Sequence, residues 1–281
     1  MNNILIMVDY VKLKDEEDKA SPRKVIRRRK PRLNFKSILL ILILIFIISS
    51  IISSITYSFT PKIAVVPISG AIATQKETSI SGDTISSREI ANILREVAQD
   101  NSVKGVILDI NSPGGSPVAS EEISNAVESV KSKKPVYALI NDVGASGAFW
   151  VAVSTDKVYA SSMSTLGSIG VTATGFGLED FIKEYNITYR RYVAGEYKDM
   201  GTPFREPTDE ENQLFEELLS QIHNKFIKHV ADSRNMNISD VEKYATGEIF
   251  LGQKALELGF IDEIGFYPDV VDDLKNETNS Q

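Results

Sequence analysis

Residues 136–150, with the sequence VYALINDVGASGAFW, set the interpretation of the whole chain. The first five are apolar, a run typical of a buried strand, and a helix is predicted to begin at about Gly147. Ser146 lies between these two elements with two small residues on each side. A serine that reacts on a sharp strand-to-helix turn needs small neighbours, because the backbone bends tightly and a substrate carbonyl must approach the hydroxyl. The pattern is not G-x-S-x-G, so a glycine-rich turn whose serine only caps a helix fits this stretch as well.

Strands and helices alternate on the N-terminal side of this stretch. Apolar runs predict strands over 63–68 and 105–110, whereas the polar residues 69–85 predict a loop. Helices are predicted after Ser86 and after Ser116, because both residues can cap a helix N-terminus.

The alternation continues on the C-terminal side. A capping box, Thr208 and Glu211, predicts a long helix that ends at about residue 233, and a smaller helix is predicted near Ser239. The other predicted elements are a strand over 157–160, a glycine-rich turn entering a strand over 164–171, a helix over 178–185, a strand over 188–193 and a short helix in the last dozen residues. Such alternation favours a layered α/β fold with parallel strand pairing.

The composition of the 281 residues excludes several kinds of chemistry. Cysteine is absent, which removes cysteine nucleophiles, disulfides and thiolate metal sites. No phosphate-binding glycine motif occurs, and we expect neither a cofactor nor a metal. The two histidines, His223 and His229, both fall in the long helix and are interpreted as ordinary helix residues. Residues 37–281 carry twenty Lys and Arg against thirty-three Asp and Glu, which argues against nucleic acid as a partner.

The N-terminal residues predict a membrane anchor. Residues 1–36 carry eleven Lys and Arg against five Asp and Glu, and we expect a disordered basic tail. Residues 37–60 contain no charged side chain, and fifteen of residues 38–59 are Ile, Leu or Phe, so a helix here is long enough to span about 30 Å of hydrocarbon. The positive-inside rule then places the tail in the cytoplasm and residues 61–281 on the exterior face of a cell membrane.

Beyond this single-pass anchor we expect one folded domain over 61–275 and a polar tail over 276–281. Two alternatives stay open near the N-terminus. Translation could begin at Met7 rather than Met1, and a small-x-small pattern near the end of the apolar span leaves cleavage of the anchor open.

A nucleophilic serine needs a base, because its hydroxyl stays protonated at neutral pH. Lysine is the common base when histidine is poorly placed, and an amine accepts a proton only in its neutral form. Lys198 is the candidate, because Val193, Ala194, Tyr197 and Met200 could surround it with apolar groups. A solvated loop lysine is the alternative.

A third requirement is a pair of donors for the oxyanion that forms when the carbonyl is attacked. Gly114 and Gly115 follow a predicted strand and directly precede a predicted helix, so their backbone N–H groups suit this role. A glycine turn that merely joins strand to helix is the alternative.

The chain resembles the signal peptide peptidase A family, also called protease IV, within the wider group of ClpP-like and crotonase-like folds. The resemblance rests on five stretches in the family's order across 63–265, namely LDINSPGGS (108–116), GASGAFW (144–150), GSIGV (167–171), the loop of Lys198 and GQKALELGFIDEIG (252–265). Each stretch is weak alone, whereas five in order are specific. Ala148 and Phe149 stand where the family often has glycine and tyrosine, a difference that bears on substrate preference.

The resemblance implies a nucleophile, Ser146, and a general base, Lys198, which are 52 positions apart. It also implies that Ser168 orients the lysine and that the backbone N–H groups of Gly115 and Gly147 form the oxyanion hole. The implied fold is a layered fold of repeated β-β-α units. The implied activity is that of a membrane-anchored serine endopeptidase that cleaves released signal peptides and similar apolar peptides without ATP. Its implied partners are those peptides, the membrane and further copies of the chain in a homo-oligomeric ring.

Three alternative functions remain. A membrane protease of the same fold could act on a stomatin-type partner, although those relatives tend to have a shorter spacing between serine and lysine. An inactive scaffold could bind hydrophobic peptides. A crotonase-type acyl-CoA enzyme is the third, but it would need neither this serine nor a membrane anchor.

Overall fold

A mostly parallel sheet organises the chain in the computed structural model, which describes residues 34–59, 61–76, 78–79 and 82–278. The strands are β1 (Lys62–Ser69), β2 (Ala71–Ala73), β3 (Thr78–Ser79), β4 (Gly82–Ser86), β5 (Val103–Ser112), β6 (Val136–Ala145), β7 (Lys157–Ala160), β8 (Thr165–Gly167), β9 (Ile249–Leu251) and β10 (Glu263–Ile264). The main sheet has the order β1-β5-β6-β7-β10, and β8 pairs with both β6 and β9. Only the β8–β9 pair of this sheet is antiparallel, so the predicted layered α/β fold with parallel pairing is confirmed.

The described residues form nine helices, and three of them begin directly after the predicted capping residues Ser86, Ser116 and Thr208. The nine helices are α1 (Phe35–Phe59), α2 (Ser87–Gln99), α3 (Pro117–Lys131), α4 (Gly147–Val153), α5 (Glu179–Glu184), α6 (Asp209–Arg234), α7 (Ile238–Glu242), α8 (Gly252–Glu257) and α9 (Tyr267–Thr278). The capping box at the start of α6 is complete, because Thr208 and Glu211 each bond the other's backbone N–H.

The central strands are covered by helices on both faces. Residues that alternate along β5 and β6, such as Ile107 and Tyr137, face α9 and pack on its Leu274. Their neighbours, such as Leu108 and Ala138, belong to the larger core that includes α2, α3 and α4. Burial of both faces produces the continuous apolar runs of these strands, because neither face meets water.

The chain divides into two units, Met1–Ile55 and Thr56–Gln281. Helix α1 begins after Asn34, whose side chain accepts a hydrogen bond from the Ser37 amide at 2.9 Å. Among the residues whose side chains the structure describes, which in α1 end at Ser50, no helix is both long and apolar enough to cross a membrane. The anchor over 37–60 therefore stays a prediction. The predicted basic tail up to residue 33, both candidate start methionines and residues 279–281 lie outside the described residues.

The prediction of a loop over 69–85 is wrong in part, because β2, β3 and β4 form a small second sheet there. Ile72 in β2 is buried, and its backbone bonds to the glycine loop after β5. Its amide donates to the Gly114 carbonyl at 2.8 Å, and its carbonyl accepts from the Ser116 amide at 2.9 Å. One buried residue is too short a pattern to predict a strand.

Two further strand predictions need correction. The glycine-rich turn over 164–171 was predicted to lead into a strand, but the strand comes first. Strand β8 ends at Gly167, before Gly170, and the residues that follow it are irregular. Residues 188–193 form no strand, and most of their side chains are exposed. These residues have no neighbouring strand among the described residues with which to pair.

The apolar side chains on one face of α6 are partly exposed in the first half of the helix and buried in the second. Phe226 and Val230 are buried, but Leu214 is 38% and Leu218 is 50% exposed. The apolar face of α6 therefore packs on the core only in the C-terminal half of the helix.

Candidate active site

Ser146 lies at the turn between β6 and α4, in a backbone conformation that few residues other than glycine adopt. Its φ is 52° and its ψ is −125°. The turn is held from both sides, because the Ser146 amide donates to the Gly167 carbonyl at 2.8 Å and the Trp150 amide donates to the Ser146 carbonyl at 3.0 Å. Such strained conformations occur mainly at functional sites. The Ser146 side chain makes no capping hydrogen bond to α4, which argues against a serine that only caps the helix.

The glycine loop after β5 lies directly against this turn. A Cβ atom on Gly114 would lie 2.6 Å from the Gly147 nitrogen and 2.9 Å from Ser146 Cβ. A Cβ atom on Gly147 would lie 3.3 Å from the Gly115 nitrogen and would collide with Ser120 Oγ. Only glycines allow this approach. The structure thus brings the predicted oxyanion donors, Gly115 and Gly147, together beside the predicted nucleophile.

A cavity of about 690 Å³ opens at this point. Ser146, Gly115, Gly147 and Ser168 all line it. Ser168 also has a positive φ, 51°, and its amide donates to the Glu248 carbonyl at 2.7 Å. Four of the five predicted site residues therefore share one cavity.

Lys198, the fifth, lies elsewhere on the same chain. It is exposed on an irregular segment after α5 and is not among the residues that line the cavity. Its amide donates to the Gly195 carbonyl at 3.2 Å, which makes a tight turn. Within one chain, the structure does not bring Lys198 to Ser146.

A cluster of charged side chains fixes the turn that carries Lys198. The carboxylate of the next residue, Asp199, accepts hydrogen bonds from Arg191 at 2.7 and 2.8 Å and from Arg205 at 3.0 Å. Arg205 also donates to Glu211, at 2.7 and 2.5 Å. The guanidinium groups of Arg191 and Arg205 lower the pKa of Asp199, and Arg205 lowers the pKa of Glu211 to about 2. The capping box already indicated Glu211, but nothing in the sequence indicated the ion pairs.

The two histidines of α6 have different surroundings. His229 stacks on Trp150 with ring centroids 4.2 Å apart, and its Nε2 lies 3.0 Å from Ser154 Oγ. Burial lowers the pKa of His229. His223 instead lines the cavity beside Ser146, a position that sequence reasoning missed because a helix position alone does not show what the side chain faces. Within the described residues, no group of three or more His, Asp or Glu side chains could hold a metal ion.

Comparison with known proteins gives matches to peptidases. The model of peptidase family S49 matches residues 128–281, more than half of the chain, and this range includes Ser146, Ser168 and Lys198. A candidate signal peptide peptidase of Enterococcus faecium is 33% identical over 218 residues, which cover 77% of this chain and 63% of that protein.

Two further relatives are similar over most of this chain. Protease 4 of Haemophilus influenzae is 32% identical over 230 residues, covering 80% of this chain and 36% of that protein. A chloroplastic serine protease of Arabidopsis thaliana is 28% identical over 206 residues, covering 73% of this chain and 30% of that protein. The chain thus spans less than two thirds of each of these three relatives.

The family model that matches residues 128–281 places the chain among the peptidases. Within that class the chain belongs to peptidase family S49, the signal peptide peptidase A family.

Proposed function

We propose that the chain is a membrane-anchored serine endopeptidase with a Ser–Lys dyad and a ClpP-like layered fold. Its substrates are released signal peptides and similar apolar peptides, and it uses no ATP. The observation that carries the proposal is Ser146, whose strained turn faces a cavity beside two glycine amides while its side chain makes no capping bond. Membership of the family and the serine protease among the relatives support the same activity.

In this mechanism the Ser146 hydroxyl attacks the scissile carbonyl, and the neutral amine of Lys198 accepts its proton. The backbone N–H groups of Gly115 and Gly147 bind the oxyanion, where each donor contributes about a hundredfold to a thousandfold in rate. The protonated lysine then gives its proton to the leaving amine, and water hydrolyses the acyl-enzyme. Ser168 orients the lysine from the cavity wall.

Lys198 reaches the cavity from a neighbouring copy of the chain. This part of the proposal is supported by the position of Lys198 outside the cavity of its own chain. The irregular segments before and after α5 expose large apolar side chains, with Phe176 and Tyr192 each 87% exposed. Exposed apolar surface of this kind marks interaction sites. A head-to-tail contact that repeats around an axis closes into a ring.

The ring is held at the membrane by the apolar residues 37–60, with the basic tail in the cytoplasm and the peptidase domain on the exterior face. Such tethering raises the local concentration of enzyme near apolar peptides that leave the bilayer.

An inactive peptide-binding scaffold is the second candidate, because Lys198 is outside the cavity of its own chain. Labelling with a serine-reactive fluorophosphonate, followed by peptide mapping, separates the two. The peptidase should be labelled at Ser146, and labelling should be lost in Ser146→Ala and in Lys198→Arg, because arginine stays charged and cannot act as a base. An exposed lysine of α5 gives the matched control, so Lys183→Arg should label normally. Absence of label at Ser146 in the unsubstituted chain would contradict the peptidase and favour the scaffold.

A further inference from the structure

The glycine loop after β5 lies between strand β2 and the turn that carries Ser146. Strand β2 follows β1 and the Ser146 turn follows β6, so the strand order β1-β5-β6 places the loop in the middle. Contacts on both sides agree with this order. A Cβ atom on Gly114 would lie 2.9 Å from Ser146 Cβ, whereas a Cβ atom on Gly115 would collide with the backbone of Ile72.

Two hydrogen bonds join β2 to the loop, one on each side of Gly115. The Ile72 N–H donates to the Gly114 carbonyl at 2.8 Å, and the Ser116 N–H donates to the Ile72 carbonyl at 2.9 Å. The Gly114 carbonyl and the Gly115 N–H belong to one trans peptide, in which they point in opposite directions. Because this carbonyl points to β2, the Gly115 N–H points to the opposite side of the loop, where the Ser146 turn lies.

The glycine loop has little resistance of its own to a change in this orientation. Gly114 and Gly115 lack Cβ atoms, so the peptide between them can rotate with few steric clashes. Within the described residues, the Gly115 N–H donates no hydrogen bond that would hold it. A half-turn of this peptide would bring the Gly114 carbonyl to the site in place of the N–H. A carbonyl oxygen repels an oxyanion, so the donor would be lost.

Strand β2 is itself anchored on the side away from the loop. The Ile72 side chain is only 2% exposed and belongs to the larger core. Residues Ala71–Ala73 pair in parallel with Thr84–Ser86 of β4, and the Ser86 side chain caps α2. The N–H that bonds to the loop is therefore fixed by the core and by a second sheet.

We propose that Ile72 is a positioning residue, whose backbone N–H holds the Gly114–Gly115 peptide so that the Gly115 N–H points to the oxyanion. Ile72 does not line the cavity, so it acts through the glycine loop. The inference rests on the proposed function, because it takes Gly115 to be an oxyanion donor. It makes the bond from β2 necessary for turnover and not for binding of the peptide substrate.

An ester bond in place of the Ile72 amide removes this N–H and keeps the side chain. The full chain is made by cell-free synthesis in detergent micelles, with the α-hydroxy acid analogue of isoleucine in place of Ile72. The matched control carries the corresponding analogue of alanine in place of Ala73, whose N–H faces β4 and not the glycine loop. Both esters remove one N–H from β2, so they differ in the bond that is lost.

Cleavage of an apolar fluorogenic peptide is measured in both esters. The Ile72 ester should lower kcat about tenfold to a thousandfold and leave KM within about twofold, because the oxyanion forms only after the substrate is bound. The Ala73 ester should keep both constants within about twofold of those of the unsubstituted chain.

Magic-angle-spinning NMR observes the same peptide without catalysis. Gly114 and Gly115 form the only Gly–Gly pair of the chain, so glycine labelled with ¹³C at the carbonyl and with ¹⁵N gives a single signal from directly bonded carbon and nitrogen. The unsubstituted chain and the Ala73 ester should show one signal at the same position. The Ile72 ester should shift this signal or divide it into two, because the Gly114 carbonyl loses its hydrogen bond.

Unchanged kcat in a folded Ile72 ester would overturn the inference, and so would equal losses of kcat in the two esters. If the Ile72 ester does not fold, the unsubstituted chain still decides, because two Gly–Gly signals of comparable intensity would show that β2 does not hold one orientation. Failure of the proposed function has a different signature. The unsubstituted chain would then cleave no peptide, while the NMR comparison would still establish whether Ile72 holds the glycine loop.

Discussion

At the scale of single residues, Ser146 combines a strained backbone with a side chain that makes no capping bond. A conformation of this kind costs on the order of 1–3 kcal/mol in a residue with a Cβ atom. The surrounding hydrogen bonds from Trp150 and to Gly167 maintain it. This backbone conformation places the Ser146 side chain beside the glycine loop after β5, where it does not cap α4.

Replacing Ser146 should separate strain from chemistry. Ser146→Gly and Ser146→Ala should both lose peptidase activity, but the glycine variant should be more stable than the alanine variant by about 1 kcal/mol, because only alanine keeps the Cβ atom at a positive φ. Urea unfolding of the two variants measures the difference. An alanine variant that equals or exceeds the glycine variant in stability would show that the turn is not strained.

Burial of His229 should make stability depend on pH. Its pKa is lowered in the folded protein, so the unfolded chain binds a proton near pH 6.5 that the folded chain does not. The neutral His229 side chain therefore contributes fully to the free energy of unfolding above about pH 6.5. This contribution falls as the pH is lowered below that value, by at most about 1.4 kcal/mol per pH unit. The free energy of unfolding between pH 7.5 and 5.5 should decrease less steeply in His229→Gln. Equal slopes in the two proteins would rule out this linkage.

At the scale of elements, the turn that carries Lys198 is tied to the start of α6. Asp199 accepts from Arg191 and Arg205, and Arg205 in turn donates to Glu211 in the capping box of the helix. Charge-assisted bidentate bonds of this type fix geometry as well as charge. The cluster therefore determines where the Lys198 amine can lie relative to its own subunit.

Asp199→Asn should lower activity without unfolding the protein. Displacement of a catalytic group by about 1 Å costs on the order of a hundredfold in rate, so we expect kcat to fall about tenfold to a hundredfold. The measurement is cleavage of an apolar fluorogenic peptide, with Asp180→Asn, which breaks an exposed ion pair on α5, as the matched control. Unchanged kcat in a folded Asp199→Asn protein would mean that the cluster does not position the lysine.

Elements that bury a whole face could be predicted from the sequence, and elements that depend on distant partners could not. The runs of β5 and β6 and the caps of α3 and α6 are local signals, and they gave correct strands and helices. Strand β2 depends on the glycine loop after β5, more than forty positions away, and residues 188–193, rich in Tyr and Val, have no partner strand among the described residues. In the site, Ser146 and the neighbouring glycines could be recognised from their local sequence. The position of His223 beside the cavity could not, because it depends on how α6 packs.

At the scale of the whole molecule, one chain leaves large apolar side chains exposed on the irregular segments before and after α5 and on the first half of α6. Phe176, Tyr192, Leu214 and Leu218 are examples. Burial of such side chains contributes about 1.5–3 kcal/mol for each fully covered residue, so a few of them suffice to drive association. The same association would bring a lysine to a cavity that contains the other predicted catalytic groups.

Complementation between two inactive chains tests whether Ser146 acts with Lys198 of a neighbouring copy. Ser146→Ala and Lys198→Ala should each be inactive alone. When equal amounts assemble together at random, about a quarter of the junctions pair an intact serine with an intact lysine, so about a quarter of the wild-type activity should return. Mass spectrometry of the assemblies establishes that they are mixed. Mixed assemblies without activity would contradict the shared site and would require serine and lysine to meet within one chain.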